Sequence, residues 1–214
     1  MKKSDMVREK IFNTSYKLFI EEGYENTTTR QIAEASNIKH GLLYYYFKKK
    51  EDILVEIVKI KMYRLTKFVM ENTGERDPYN VSALFGRIFF EYIKNNDNFK
   101  KLYIAVLNNY RIKSTTVDTI IEISKSMFNL FNIDYKEENL RVASLVAVGV
   151  QSTLVVSNLK ENSEINYDEL VSIIIKVTFG SINISDEKIK IISEETLIKK
   201  EKFIKKFGVQ YSIN

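Results

Sequence analysis

One proline, Pro78, stands among 214 residues. Proline breaks helices because it lacks the amide donor and its ring meets the preceding turn. With one proline and seven glycines, the chain can run as a succession of helices. Its abundant Lys, Glu, Ile and Leu favour that choice. The one clear break is Gly74 to Pro78, where Pro78 suits the first turn of a new helix. Hydrophobic residues make up 44% of the chain, ample for a core. An all-α fold is expected, as one large domain or two small ones.

The stretch from Thr28 to Lys50 carries the densest local signals. Thr28 and Gln31 form a Thr-x-x-Gln capping box, in which the hydroxyl accepts from the first turn and the amide reaches back. Ile32, Ala33 and Ala35 follow, and Ser36-Asn37 stop the helix, Asn37 tolerating the left-handed backbone of a tight turn. A second helix is expected from about Lys39 to Tyr46. Ile38, Leu43 and Phe47 fall at helical spacing on its inner face. Lys39, His40, Gly41, Leu42, Tyr44, Tyr45 and Tyr46 are left mainly outside. Two short helices at an angle are the unit that places one helix in the DNA major groove. Tyrosine hydroxyls beside lysines suit phosphates, and no acidic residue occurs between Lys39 and Lys50. Gly41 costs helix stability, roughly 1 kcal/mol against Ala, which makes sense where a phosphate backbone must come close. The bland reading is a local aromatic core, and for Leu43 and Phe47 it is the expected one. His40, the only histidine, is expected near DNA and not as a metal ligand or catalyst.

The order Gly23-Tyr24, Thr27-Thr28, Ile32-Ala33, Asn37-Ile38, Gly41, Leu43-Tyr44-Tyr45-Tyr46-Phe47 and Lys50-Glu51-Asp52-Ile53-Leu54 resembles the DNA-binding domain of the TetR family of bacterial transcriptional regulators. The resemblance covers about residues 7 to 60. Two positions depart from the family pattern: Lys39 stands where Ser or Thr usually opens the recognition helix, and Leu42 replaces a small polar residue. The target sequence therefore cannot be borrowed from relatives, and Leu42 offers an apolar contact, such as a thymine methyl. The resemblance implies a helix-turn-helix domain over residues 4–60 and an effector-binding and dimerisation domain over 61–214.

Charge points the same way. Residues 1–50 carry ten basic against six acidic side chains, whereas the other 164 carry 23 against 22. The basic excess of the first segment is an electrostatic footprint for a polyanion. The chain has no cysteine, hence no disulfide and no thiol chemistry. No apolar run reaches the length of a transmembrane helix, and the basic N-terminus leads into an amphipathic helix and not a signal peptide. A cytoplasmic protein without membrane attachment is expected. No Gly-rich phosphate loop, metal cluster or nucleophile–base–acid set is present, so no enzyme, cofactor or metal is expected. Glu21-Glu22 and Glu137-Glu138 read as solvated charge.

Taken in order, residues 4–22 form a first helix with Val7, Ile11, Ser15, Leu18 and Phe19 inward, closed by Gly23 as a left-handed cap. A long helix follows over 51–72. Ile53, Leu54, Ile57 and Ile60 serve one core, and Met62, Leu65, Phe68 and Val69 a second. Helices are expected near 78–95, 98–110 and 115–132, with a heavy aromatic load. Either a filled core or a cavity for a small, largely apolar effector accounts for it. For the cavity, Met62, Phe89, Tyr92, Tyr103, Tyr110 and Met127 are the candidates. Charged residues do not cluster there, so no strongly ionic effector is expected.

Glu138 to Leu159 is the most apolar helix and is rich in small residues. A polar loop at 160–166 and a helix over 167–180 follow it. This pair lies where the family places its dimer interface, with Ala143, Ala147, Gln151, Leu154, Leu170, Ile174 and Val177 as candidates; an internal core pair is the alternative. The last helix, 185–207, is amphipathic and either packs on the bundle, braces a dimer or lies on a membrane. The expected function is a homodimeric regulator of a palindromic operator in double-stranded DNA. The resemblance favours a repressor released by a small molecule, with DNA contacts from Thr28, Arg30, Lys39, His40, Gly41, Leu42, Tyr44, Tyr45 and Lys50. The alternatives are an activator, a DNA binder without an effector, or a ligand-binding protein on the same fold.

Overall fold

The computed structural model describes residues 3–157 and 166–208, and among them every regular element is a helix. In chain order they are α1 (Lys3–Glu21), α2 (Thr29–Ala35), α3 (His40–Tyr46), α4 (Lys50–Thr73), α5 (Pro78–Lys94), α6 (Asp97–Asn108), α7 (Tyr110–Leu130), α8 (Glu137–Val150, continued by a π-turn over Gln151–Val155), α9 (Tyr167–Gly180) and α10 (Asp186–Phe207). Residues 158 and 159 of the expected apolar helix, and 160–165 of the loop after it, lie outside the described residues.

The punctuation is local chemistry. Gly23 (φ 89°) and Gly74 (φ 67°) turn the chain in the left-handed region after α1 and α4. Asp77 caps α5 by accepting from the amides of Tyr79 (2.7 Å) and Asn80 (3.2 Å), with Pro78 in the first turn. The gap expected at 111–114 is absent. Asn109 caps a helix that starts at Tyr110, its side chain accepting from Ile112 N at 3.1 Å. A good cap supplied by a side chain outweighs the weak helix formers Ser114, Thr115 and Thr116.

Helices α1–α3 pack around Ile11, Phe12, Phe19, Ile32, Leu43 and Phe47, with Ile53, Leu54 and Ile57 of α4 closing that core. Further along, α4 buries Leu65 and Val69 in the bundle of α5–α10. One helix thus belongs to both cores. Polar contacts fasten the junction: Arg111 Nη2 meets Asp52 Oδ1 at 2.5 Å, and Lys59 Nζ meets Glu122 Oε2 at 2.9 Å. On the other side, the Tyr16 hydroxyl of α1 hydrogen-bonds that of Tyr92 on α5.

The role of α10 is settled by its packing. Ile189, Ile192, Thr196 and Phe203 are buried, and Phe203 and Phe207 close on Phe68 of α4 with ring centroids 5.5 and 5.3 Å apart. Its polar tie is Arg87, almost fully buried on α5. Arg87 donates to Thr196 Oγ1 (3.1 Å), Ser172 Oγ (3.1 Å), and Ser193 O and Oγ (3.0 and 2.8 Å). Lys200, also buried, donates to Asp168 Oδ2 at 2.8 Å. A buried cation is tolerable only with its donors met. Here α5, α9 and α10 meet them jointly. No helix among the described residues is long and apolar enough to cross a membrane.

Candidate functional site

The N-terminal unit displays α3. The capping box of α2 is formed: Thr28 Oγ1 accepts from Gln31 N (3.2 Å) while Gln31 Oε1 accepts from Thr28 N (2.7 Å). Asn37 makes the turn at φ 50°. Lys39 sits at the N-cap of α3 without a side-chain capping bond. Leu43 alone of the helix is fully buried. Thr28, Arg30, Lys39, His40, Gly41, Leu42, Tyr44 and Tyr45 are all exposed.

The display is partly fixed in place. His40 Nε2 lies 3.1 Å from Thr29 Oγ1, and the Tyr44 ring meets the imidazole edge-on with centroids 4.7 Å apart. Tyr45, 74% exposed, leans on Tyr46. A Cβ on Gly41 would meet nothing within 4 Å. No contact inside the protein therefore requires glycine at this position. Arg30 is paired with Glu34 at 3.2 Å across one turn, an exposed pair of little energetic worth that a phosphate can replace.

Lys50 is a correction. Its ammonium donates to the carbonyls of Tyr24 (2.6 Å) and Thr27 (2.9 Å) and lies 4.2 Å from the centroid of the Tyr24 ring. It ties the α1–α2 loop to the start of α4 and is not held out toward solvent as a phosphate contact. Lys48 and Lys49, before it, are exposed.

The bundle encloses a cavity of about 210 Å³. For scale, an apolar cavity of roughly 150 Å³ accepts benzene. Met62, Phe89, Tyr103 and Met127 line it. Tyr92 and Tyr110 do not. Tyr92 is buried against α1 and α6, its hydroxyl accepting from Asn96 Nδ2 at 3.1 Å. Tyr110 is 84% exposed, because α7 begins at that residue and turns it outward. The polar points of the wall escaped the sequence reading. The Tyr103 hydroxyl donates to Gln151 Oε1 at the π-turn of α8, and burial pushes its pKa well above the ordinary tyrosine value. Thr178 Oγ1 is buried with no hydrogen-bond partner in the protein. At the other wall, Leu54, Ile57, Val58 and Lys61 of α4 face the same space.

The expected dimer residues are redistributed. Ala143, Ala147, Gln151 and Ile174 line the cavity, and Leu170 is fully buried within the chain. Leu154 is half-buried against the core. Val177, at 44% exposure, faces out, as does Leu145 at 49%.

An exposed recognition-type helix on a three-helix unit, joined through one long helix to an apolar-cored bundle, defines an all-helical helix-turn-helix protein of two parts. Residues 11–57 match the model of the bacterial regulatory proteins of the tetR family. Over 103 residues, 48% of this chain, it is 32% identical to the biofilm operon icaADBC HTH-type negative transcriptional regulator IcaR of Staphylococcus aureus (strain Newman), covering 54% of that protein. IcaR of Staphylococcus epidermidis is 30% identical over 100 residues, 47% of this chain and 53% of that one. The chain thus spans about half the length of the curated relatives it matches. Among solved structures, Thermus thermophilus FadR, a TetR-family repressor in complex with lauroyl-CoA, is similar with a TM-score of 0.59 at 18% identity, over 84% of this chain and 96% of that one. SmeT, the repressor of the Stenotrophomonas maltophilia multidrug efflux pump SmeDEF, follows at 0.50 and 15%, over 81% and 89%. Both show the fold.

Proposed function

We propose that the chain is a sequence-specific DNA-binding transcriptional regulator, a homodimeric repressor released from a palindromic operator by a small, largely apolar effector. The observation that carries this is α4. Leu54 and Ile57 lie within the segment matched to the family's domain, and the same two residues form part of the cavity wall. What fills the cavity therefore touches the helix that backs the recognition unit.

In this reading Thr28, Arg30, Tyr44 and Tyr45 meet phosphates, and Lys39, His40, Gly41 and Leu42 meet base edges. Leu145 and Val177, exposed on the adjoining helices α8 and α9, form the centre of a two-fold contact. Two recognition helices then read half-sites roughly 34–36 Å apart or a multiple of that. The effector acts by preferring a spacing that does not fit the operator; equal affinity for both spacings would change nothing.

The test is fluorescence anisotropy with the DNA immediately upstream of the coding region, against a shuffled duplex, at low and physiological salt. Tight, salt-dependent binding with a clear margin over the shuffled duplex is expected. Equal, weak binding to both would count against sequence-specific regulation at that site. Sedimentation of the Leu145→Arg/Val177→Arg double variant should show monomer where the parent chain shows dimer.

A further inference from the structure

Gln151 is the one side-chain amide among the described residues that line the cavity. It opens the π-turn of α8, and π-turns inside α-helices are frequent at functional sites. Its Oε1 accepts from the hydroxyl of Tyr103 on α6, a residue buried in the bundle. That bond turns the amide inward and fixes which end is which. Among the described residues Tyr103 is the hydrogen-bond partner of the Gln151 side chain, so the two donors of Nε2 are left over. Hydroxyls elsewhere in the wall are spent on their own helices: Thr116 donates to Ile112 O (2.9 Å) and Ser144 to Leu140 O (2.7 Å). Beside the amide the wall is aromatic. Phe89 meets Tyr103 edge-on with centroids 5.0 Å apart, and Phe85 stacks on Phe89 at 5.7 Å. A pure hydrocarbon filling this space would take water from the amide and strand its donors, at a cost. A ligand with an oxygen at that point would satisfy them.

We propose that the cavity takes an apolar molecule bearing a ketone or ester carbonyl, with Gln151 Nε2 donating to the carbonyl oxygen and Tyr103 holding the amide in that orientation. Gln151 is then the specificity-determining residue and Tyr103 a positioning residue. The inference rests on the effector reading above and narrows it from any apolar compound to a carbonyl compound.

The test is isothermal titration of the full chain with butyrophenone and butylbenzene, which differ only by a carbonyl in place of a methylene. The quantity read is the ratio of the two affinities, compared between the parent chain and its variants, so that differences in the solvation of the free compounds cancel. The ratio in favour of butyrophenone is expected to fall about fivefold in Gln151→Leu, with butylbenzene affinity kept or raised. Tyr103→Phe should lower the ratio by a smaller factor and add nothing in a Gln151→Leu background. An unchanged ratio in Gln151→Leu would overturn the inference and leave the effector reading standing, as would a folded Gln151→Leu that binds neither compound. A further fall on adding Tyr103→Phe to Gln151→Leu would assign the discrimination to the tyrosine and overturn the role of the amide. Should Gln151→Leu lose its fold, Tyr103→Phe decides: a lowered ratio supports the inference and an unchanged one overturns it. Failure of both compounds to bind the parent chain would bring down the effector reading as well.

Discussion

On α3 one side chain, Leu43, is fully buried and five of its seven residues stand in solvent, whereas around the cavity the side chains face inward and a single ammonium interrupts the wall. The outer face of α3 is positioned by contacts that its outward side chains hardly make: the Thr28–Gln31 box, the Asn37 turn and the inward Leu43. Those outward side chains can change with little effect on folding. The cavity wall has no such freedom, because the residues that would touch a ligand also fill the core. Substitutions there change stability and binding together.

The largest effect should come from Arg87→Ala, which leaves the acceptors on Ser172, Ser193 and Thr196 without their donor and opens a cavity at the α5–α9–α10 junction. A loss of about 3–5 kcal/mol is expected in chemical denaturation, with apolar-ligand binding lost alongside. A loss under about 1 kcal/mol would show that the bundle does not depend on this cation. Next is Lys50→Met, which removes charge-assisted bonds to two carbonyls and should cost about 2 kcal/mol in thermal or urea unfolding. The salt slope of DNA binding should not move; a slope reduced by about one at unchanged stability would return Lys50 to the phosphate-contacting set. Smaller still, Tyr44→Phe should weaken DNA binding by about 1 kcal/mol across all sequences, at unchanged melting temperature. Leu42→Ala should alter base preference instead. If Tyr44→Phe leaves affinity untouched, the exposed tyrosine has no phosphate partner.

The smallest effect concerns pH. Lys61 has its pKa lowered from 10.5 to about 8 in the folded chain, so the unfolded chain binds the extra proton between those values. Stability therefore gains from this residue as pH rises above about 8 and is penalised below it. The Tyr16 ring on α1 and the Arg64 guanidinium on α4 are among the groups near Lys61. Burial raises the Tyr16 pKa well above the ordinary value, so the tyrosine does not titrate there. Without ligand, Lys61→Met should melt higher than the parent chain at pH 7, by a margin that narrows toward pH 9.5. A constant margin would mean that Lys61 is not desolvated.

What the sequence made legible is what short-range chemistry decides. The Thr28–Gln31 box, the left-handed Asn37, the cap at Gly23, the break from Gly74 to Pro78 and the burial of Leu43 each depend on residues a few positions apart. Arg87 reaches partners 81 to 109 positions away, and Lys50 reaches back 23 to 26. Nothing in local spacing announces such pairings. Tyr110 failed for a related reason: one side-chain cap at Asn109 moved the start of α7 and so the direction of its first residue. The small residues of α8 announced close packing but not against what, and they face the cavity. Lys61 was passed over because a lone lysine in a long helix usually stands in water.

Helix α4 is shared by two cores and by the cavity wall, and it cannot yield to one neighbour without informing the other. If a ligand against Leu54, Ile57 and Lys61 loosens the grip of α3 on DNA by some factor, then DNA must loosen the grip on that ligand by the same factor. An operator-bound dimer would then be a poor sensor and a free one a good sensor. In a cell, the number of operator copies would then help to set the ligand concentration at which the genes respond.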